Sequence, residues 1–201
     1  MTILDKIIAD KNIEVAQRKA LFPVSFWEQS PLFEKATVSI SECLKNSTSG
    51  IIGEHKRRSP SRNNINNSLS IANVAKGYES AGVSGMSVLT DTKYFGGCLG
   101  DLIAARAVTQ FPLLRKEFII DRYQILEAKA HGADVILLIA AVLNKNQIKE
   151  LSEFAQSLGL EVLLEVHNAE ELEKSVMPSL NLLGVNNRNL KTFEVSLETS
   201  K

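Results

Sequence analysis

The fold of this chain follows from the stretch Ile51-Ile52-Gly53-Glu54-His55-Lys56-Arg57-Arg58-Ser59-Pro60-Ser61. The stretch begins with apolar residues and ends in a carboxylate and an ammonium group two positions apart. Because residues two apart in a β-strand point to the same face, Ile52, Glu54 and Lys56 share one side of a predicted strand. Pro60 fixes its own φ and disfavours helix at the preceding residue, so a turn follows the strand. A strand with charges on one face either ends in water or lines a polar pocket.

Length and composition predict one globular domain over residues 1–201. Apolar residues at helical spacing before the first strand predict an amino-terminal helical extension over 1–48. The 23 basic and 23 acidic side chains balance, so bulk charge does not indicate nucleic acid or an anionic membrane as a partner. Cys43 and Cys98 lack metal-ligand spacing and suggest no disulfide framework, which fits a reducing cytoplasm. The charged, amphipathic amino terminus is not a signal peptide, and no apolar run is long enough to span a bilayer.

After Gly50 the pattern becomes strand, loop and helix, and then repeats. Strands are predicted at 51–56, 85–90, 112–118, 134–139, 160–165 and 180–186. Helices are predicted at 2–21 and 39–45 before the first strand, and at 70–81, 99–109, 121–131, 145–158 and 169–175 after it.

Strict alternation with nearly continuous apolar strands predicts a parallel sheet covered by helices. Both a (β/α)₈ TIM barrel and an open doubly wound sheet have this pattern. The first strand is not followed by a glycine-rich nucleotide fingerprint, which disfavours the doubly wound sheet. Only six strands are counted, so the predicted fold is an α/β barrel truncated after about six βα units.

Polar side chains recur at the carboxyl ends of the predicted strands. In a barrel these ends meet at one mouth, where catalytic groups come from different strands. The side chains expected to converge there are Glu54, Lys56, Lys116, Glu165, Asn186 and Arg188. Phe95, Phe118 and Leu137 would supply an apolar wall suited to an aromatic ligand. By the same strand alternation, His55 faces away from this mouth.

In its motifs the sequence resembles the indole-3-glycerol phosphate synthase family. Besides the opening stretch, the motifs are Ser87-Val88-Leu89-Thr90-Asp91, Tyr94-Phe95-Gly96-Gly97, Leu113-Leu114-Arg115-Lys116-Glu117-Phe118-Ile119-Ile120-Asp121, Gly132-Ala133-Asp134-Val135-Ile136-Leu137-Leu138-Ile139, Glu161-Val162-Leu163-Leu164-Glu165-Val166-His167 and Gly184-Val185-Asn186-Asn187-Arg188-Asn189-Leu190. They occur in family order over the whole chain. The resemblance implies a (β/α)₈ barrel that converts 1-(2-carboxyphenylamino)-1-deoxyribulose 5-phosphate to indole-3-glycerol phosphate, losing CO₂ and water.

The resemblance also implies the chemical roles of the strand-end groups. Lys116 is similar to the family's general acid, and Glu165 and Glu54 resemble its acid/base carboxylates. Lys56 resembles the cation for the substrate carboxylate or phosphate. Mutual repulsion of the two lysines is expected to ease proton donation by either of them.

Further groups are implied to hold the substrate. Asn186 and Arg188 resemble positioning groups, and Ser59 resembles part of the substrate and phosphate surround. The family uses no cofactor and no metal. The implied partners are the phosphorylated anthranilate–sugar substrate and a fused or associated tryptophan-pathway enzyme.

The sequence departs from the family at its carboxyl end, where the motifs of strands seven and eight have no counterpart. Because six strands cannot close an eight-stranded barrel, we expect an open sheet curled like a broken barrel, or a partner chain in the gap. We also expect the phosphate side of the pocket to be absent and turnover to be at background rate. Two other functions stay open: an inactive barrel fragment that acts as a folding or interaction module, and a related phosphosugar isomerase. The isomerase does not account for lysines on both strand one and strand three.

Overall fold

Six parallel strands form one sheet in which each strand pairs with the next one along the chain. The computed structural model describes residues 2–188 and 195–200. The strands are β1 (Ile52–His55), β2 (Gly85–Leu89), β3 (Leu113–Lys116), β4 (Val135–Ile139), β5 (Glu161–Val166) and β6 (Leu182–Val185). All six predicted strands are present, and the alternating α/β architecture is confirmed.

Nine α-helices are formed by the described residues. They are α1 (Ile3–Leu21), α2 (Val24–Glu28), α3 (Ile40–Asn46), α4 (Ile71–Ser80), α5 (Thr92–Phe95), α6 (Leu99–Arg106), α7 (Arg122–Ala130), α8 (Lys145–Ser157) and α9 (Ala169–Ser175). A 3₁₀ turn follows at Leu197–Ser200. The sequence did not predict α2 and α5, because one turn of helix is too short to show a helical period.

The strand order decides between the two sheet architectures. A doubly wound sheet reverses its strand order at a switch point, whereas the order here runs β1-β2-β3-β4-β5-β6 without reversal. Right-handed crossovers in a constant direction place the connecting helices on one face of the sheet. The doubly wound alternative is therefore wrong. The predicted curled half-barrel is confirmed, with β1 and β6 at its two ends.

Two apolar cores lie on opposite faces of this sheet. The outer core packs the strands against the helices and includes Met86, Ile136 and Val162. The inner core contains Leu114, Val135, Leu137 and Ile139, with Ile40 of α3 packed against them. Ile40 is fully buried, and its Cδ1 atom lies 3.0 Å from where a Cβ on Gly85 would stand. Because Gly85 opens β2, α3 fills the inner face at the amino ends of the strands and leaves the opposite end accessible.

Strand β3 ends earlier than predicted. We expected it to continue to Phe118, but its pairing stops at Lys116. The backbone N–H of Phe118 donates instead to Glu117 Oε1 at 2.9 Å, so the chain leaves the ladder at this point. Glu117 is itself buried, and its Oε2 accepts a hydrogen bond from Thr90 at 2.8 Å.

Helix α1 lies across the carboxyl end of the sheet and is fastened there by a buried lysine. The Lys11 side chain is 2% exposed, and its Nζ lies 2.7 Å from Glu14, 3.0 Å from Asp91 and 3.1 Å from Glu117. Asp91 also caps α5 by accepting from the N–H of Tyr94 at 2.7 Å. The extension is therefore joined by charge to the segments that follow β2 and β3.

Gly97 is required for space in the loop after β2. A Cβ built on it would lie 1.9 Å from the carbonyl oxygen of Leu89, which is backbone and cannot move aside. We expect Gly97→Ala to lower the free energy of unfolding by about 3 kcal/mol, the upper end of the usual cost of overpacking. Urea unfolding would measure the change.

Gly77→Ala is the matched control, because a Cβ there meets nothing within 4 Å. Equal stability changes in the two variants would contradict the steric argument.

Within residues 2–188 and 195–200, none of the helices has the length and apolar character needed to cross a bilayer.

Candidate active site

One cavity of about 660 Å³ opens at the carboxyl ends of the strands. All ten side chains predicted for the site contribute to its lining: Glu54, Lys56, Ser59, Phe95, Phe118, Lys116, Leu137, Glu165, Asn186 and Arg188. They come from four strands, β1, β3, β4 and β5, and from the segments that follow β1, β2, β3 and β6, which is the arrangement of a barrel active site.

An ion pair between β3 and β5 lies in the wall of the cavity. Lys116 Nζ lies 3.2 Å from Glu165 Oε2, and the Glu165 side chain is 11% exposed. The other oxygen, Oε1, accepts a hydrogen bond from Asn186 Nδ2 at 3.0 Å, just after β6. Three polar side chains from different strands therefore hold one another in place at the cavity wall.

This pair is held in its charged form. Burial by itself would lower the pKa of Lys116, but the carboxylates of Glu165 and Glu54 outweigh it and raise the pKa above the ordinary lysine value. Burial would likewise raise the pKa of Glu165, yet Lys116, Asn186 and His167 hold this pKa below its ordinary value. The expectation that repulsion between the lysines eases proton loss is wrong for Lys116, because the carboxylates dominate its surroundings. The site therefore presents an ammonium acid beside a carboxylate base.

A second ion pair lies on β1. Lys56 Nζ is 2.7 Å from Glu54 Oε1, and Glu54 Oε2 accepts from Ser87 Oγ at 3.3 Å. Glu54 and Ser87 are register partners across β1 and β2. Each lysine is thus paired with its own carboxylate, and both side chains keep about a third of their surface exposed to the cavity.

Aromatic and aliphatic side chains form the apolar part of the cavity. The rings of Phe95 and Phe118 lie 6.0 Å apart between centroids and are tilted by 38°. Leu137, in the middle of β4, is buried in the inner core behind them. A planar aromatic ligand would find an apolar surface here beside the charged groups.

Helix α1 contributes a part of the lining that sequence reasoning missed. Ile3, Leu4 and Ile7 face the cavity, although α1 was interpreted only as an extension outside the repeat. One signal was present in the sequence. Lys11 stands four residues from both Ile7 and Val15, so it lies on the apolar face of the helix, where a lysine requires buried partners.

Two arginines fasten the loop after β1 to the loop after β2. Arg57 forms a two-pronged contact with Asp101, at 2.6 and 2.8 Å, and also donates to the carbonyl of Gly96. Arg58 donates to the carbonyls of Thr92 and Lys93 at 2.6 and 2.9 Å. The sequence did not single out these residues, because a basic run is most often solvated. They hold the loop that carries the Ser59 turn next to α5 and Phe95.

Three further residues that the sequence singled out also have defined positions. His55 is buried and does not line the cavity, as strand alternation predicted. The side chain of Arg188 is exposed, and its backbone N–H donates to Asn186 Oδ1 at 2.9 Å. Ser59 closes a tight turn with Arg62 through paired backbone hydrogen bonds of 2.8 and 3.0 Å.

The sheet is curled and parallel, and ammonium groups are paired with carboxylates at the carboxyl ends of its strands. These features define a (β/α)-barrel protein whose site is equipped for acid–base catalysis. Comparison with known proteins then gives the family. The family model described as indole-3-glycerol phosphate synthase matches residues 4–201. The chain belongs to the indole-3-glycerol phosphate synthase family.

Several curated relatives bear the same name. The chain is 46% identical over 207 residues to indole-3-glycerol phosphate synthase of Polynucleobacter asymbioticus, covering 98% of this chain and 78% of the relative. It is 44% identical to the enzyme of Bacteroides thetaiotaomicron, covering 98% and 76%. The chain thus spans about three quarters of the length of these relatives. Among solved structures, the carboxyl transferase domain of Rhizobium etli pyruvate carboxylase with 3-bromopyruvate matches with a TM-score of 0.48 and 12% identity, over 72% of this chain and 28% of that one.

Proposed function

We propose that this protein is a lyase that forms indole-3-glycerol phosphate from 1-(2-carboxyphenylamino)-1-deoxyribulose 5-phosphate, with loss of CO₂ and water, in tryptophan biosynthesis. The observation that carries the proposal is the Lys116–Glu165 ion pair, which stands in the same cavity as the Phe95–Phe118 wall. Family membership favours this reading over an inactive barrel module. A cytoplasmic location and a fused or associated pathway enzyme stay predictions.

Lys116 acts as the general acid in this proposal. Ring closure turns the substrate ketone into an alcohol, so a proton must reach its oxygen as the new carbon–carbon bond forms. The raised pKa keeps Lys116 protonated at neutral pH, and its side chain, which is 30% exposed, lines the cavity. Once it has regained a proton, the same group can donate again when the hydroxyl departs as water.

Glu165 and Glu54 act as the acid/base carboxylates. Dehydration to the indole removes a proton from the carbon next to the ring nitrogen, and a carboxylate base is needed there. Glu165 stays ionised because of its lowered pKa, so it is ready to accept that proton. Glu54 supports the charge of Lys116 and holds Lys56 by its own ion pair.

The remaining lining groups fit the shape and charge of the substrate. Its anthranilate ring would pack on Phe95, Phe118 and Leu137, and its carboxylate and phosphate would be met by cationic side chains. Lys56 and Arg188 line the cavity together with Arg62. Ser59 and Asn186 offer hydrogen bonds near them.

The direct test is to add the substrate to the purified chain and follow indole fluorescence. The assay is run twice: with the chain alone, and with the part of a relative that this chain does not match supplied as a second polypeptide. We expect indole formation above the uncatalysed rate in the supplemented reaction. No product in either reaction, from a chain that is folded by circular dichroism, would support the inactive module instead.

A further inference from the structure

Behind Glu165 stands a histidine that the proposed reaction has not used. His167 follows β5 directly, and its side chain is 10% exposed. Its Nδ1 donates to Glu171 Oε2 at 3.1 Å, and its backbone N–H donates to the same oxygen at 2.9 Å. One carboxylate thus fixes both the backbone and the ring of His167.

This fixed orientation turns the other ring nitrogen toward the site. Nε2 lies 3.6 Å from Glu165 Oε1 and makes no hydrogen bond within the described part of the chain. Since Nδ1 keeps its proton for Glu171, Nε2 is the position that gains or loses a proton. The groups form a line from the cavity outward: Lys116, Glu165, His167 and Glu171.

The proposed reaction requires a source of protons. Ring closure protonates the ketone oxygen once, and departure of that oxygen as water requires a second proton. Formation of the indole double bond releases only one proton from carbon, and decarboxylation of a carboxylate to CO₂ releases none. Each turnover therefore consumes one proton, which the groups around Lys116 and Glu165 have to supply.

We propose that His167 is a positioning residue that acts through Glu165 as the proton store of this site. This inference rests on the proposed function. With substrate bound, Lys116 becomes neutral when it gives its proton to the ketone oxygen. The Nε2–H bond of the imidazolium then breaks, an O–H bond forms on Glu165, and Glu165 passes this proton on to Lys116. After product release, water in the open cavity protonates Glu165, and the proton returns to Nε2.

The charges around His167 favour this store. Glu171 on α9 and Glu165 on β5 both stabilise the imidazolium, because each is an anion close to the ring. Lys116 on β3 opposes it from the far side of Glu165, and Glu54 partly offsets Lys116. The store therefore depends on its two carboxylates.

The first test is the NMR titration of His167, without substrate, in the unsubstituted chain and in Glu165→Gln and Glu171→Gln. The chain has 3 histidines, so each resonance can be assigned by substitution. We expect the midpoint of the His167 ring resonances to lie lower in both variants than in the unsubstituted chain, because each variant removes an anion beside the ring. Glu170→Gln is the matched control, since Glu170 is exposed on the same helix. A His167 midpoint that is the same in Glu165→Gln as in the control would overturn the proposal.

The second test is the pH profile of kcat in His167→Gln, which keeps a polar side chain but cannot store a proton. We expect kcat at pH 6 to fall about 10²-fold, the lower end of the usual contribution of a positioned proton-transfer group, with KM unchanged. The decline of kcat as pH rises through the His167 midpoint should also vanish. An unchanged pH profile would contradict the store. Inactivity of the unsubstituted chain would count against the proposed function alone, because the titration needs no substrate.

Discussion

Replacement of Lys116 by alanine is expected to lower kcat by about 10²-fold to 10⁴-fold, the usual contribution of a positioned general acid. KM should change much less, because the apolar wall and the other cations still hold the substrate. The substitution also removes the cation that lowers the pKa of Glu165, so burial would then raise that pKa and weaken the base. Steady-state kinetics, under the conditions in which the unsubstituted protein forms indole, measure both constants.

The matched control is Lys76→Ala, which removes an exposed lysine on α4 outside the cavity. It should leave both constants unchanged. If Lys116→Ala kept near-normal kcat, Lys116 would lose the acid role and the proposed mechanism would fail at its first step.

Replacement of Lys11 by methionine is expected to lower the free energy of unfolding by about 3–5 kcal/mol, because it removes a buried cation from two buried carboxylates. Asp91 loses its ion-pair partner, and Glu117 keeps only the more distant Arg115, at 3.8 Å. The side chains of Asp91 and Glu117 are only 3% and 1% exposed, and Lys11 bridges them. Burial by itself would lower the pKa of Lys11, but Glu117, Asp91 and Glu14 raise it above its ordinary value. Since the folded-state pKa is raised, the stabilisation is fully present below the ordinary lysine pKa and is lost only as pH rises through the folded value. Urea unfolding at pH 7 should show the whole effect.

Lys6→Met is the control on the same helix, because Lys6 is exposed. It should change stability by less than about 0.5 kcal/mol, as most surface substitutions do. A similarly small change for Lys11→Met would mean that the buried ion cluster does not fasten α1 to the sheet.

Local sequence pattern was sufficient for the six strands and the longer helices, and for choosing side chains that the fold places around one cavity. Apolar runs of strand length alternating with helical periods predict parallel βα units, because both faces of such strands must be buried. Strand parity also places Glu54 and Lys56 on one face and His55 on the other, since side chains alternate strictly along a strand. Strand position and, for Ser59, the family resemblance were enough to choose the ten predicted site residues without coordinates.

Only the tertiary structure decided how these groups act on one another. Whether the lysines would repel each other or pair with carboxylates depends on distances between β1, β3 and β5, which no pattern within one strand contains. The same holds for Lys11, whose three partners come from α1 itself, the start of α5 and the end of β3. It also holds for His167. Its contact with Glu171 is local in sequence, but only the folded structure shows that its Nε2 lies 3.6 Å from Glu165 Oε1. Periodicity determines which face a side chain occupies, whereas charge states depend on every neighbour within a few ångströms, and the chain assembles those neighbours only on folding.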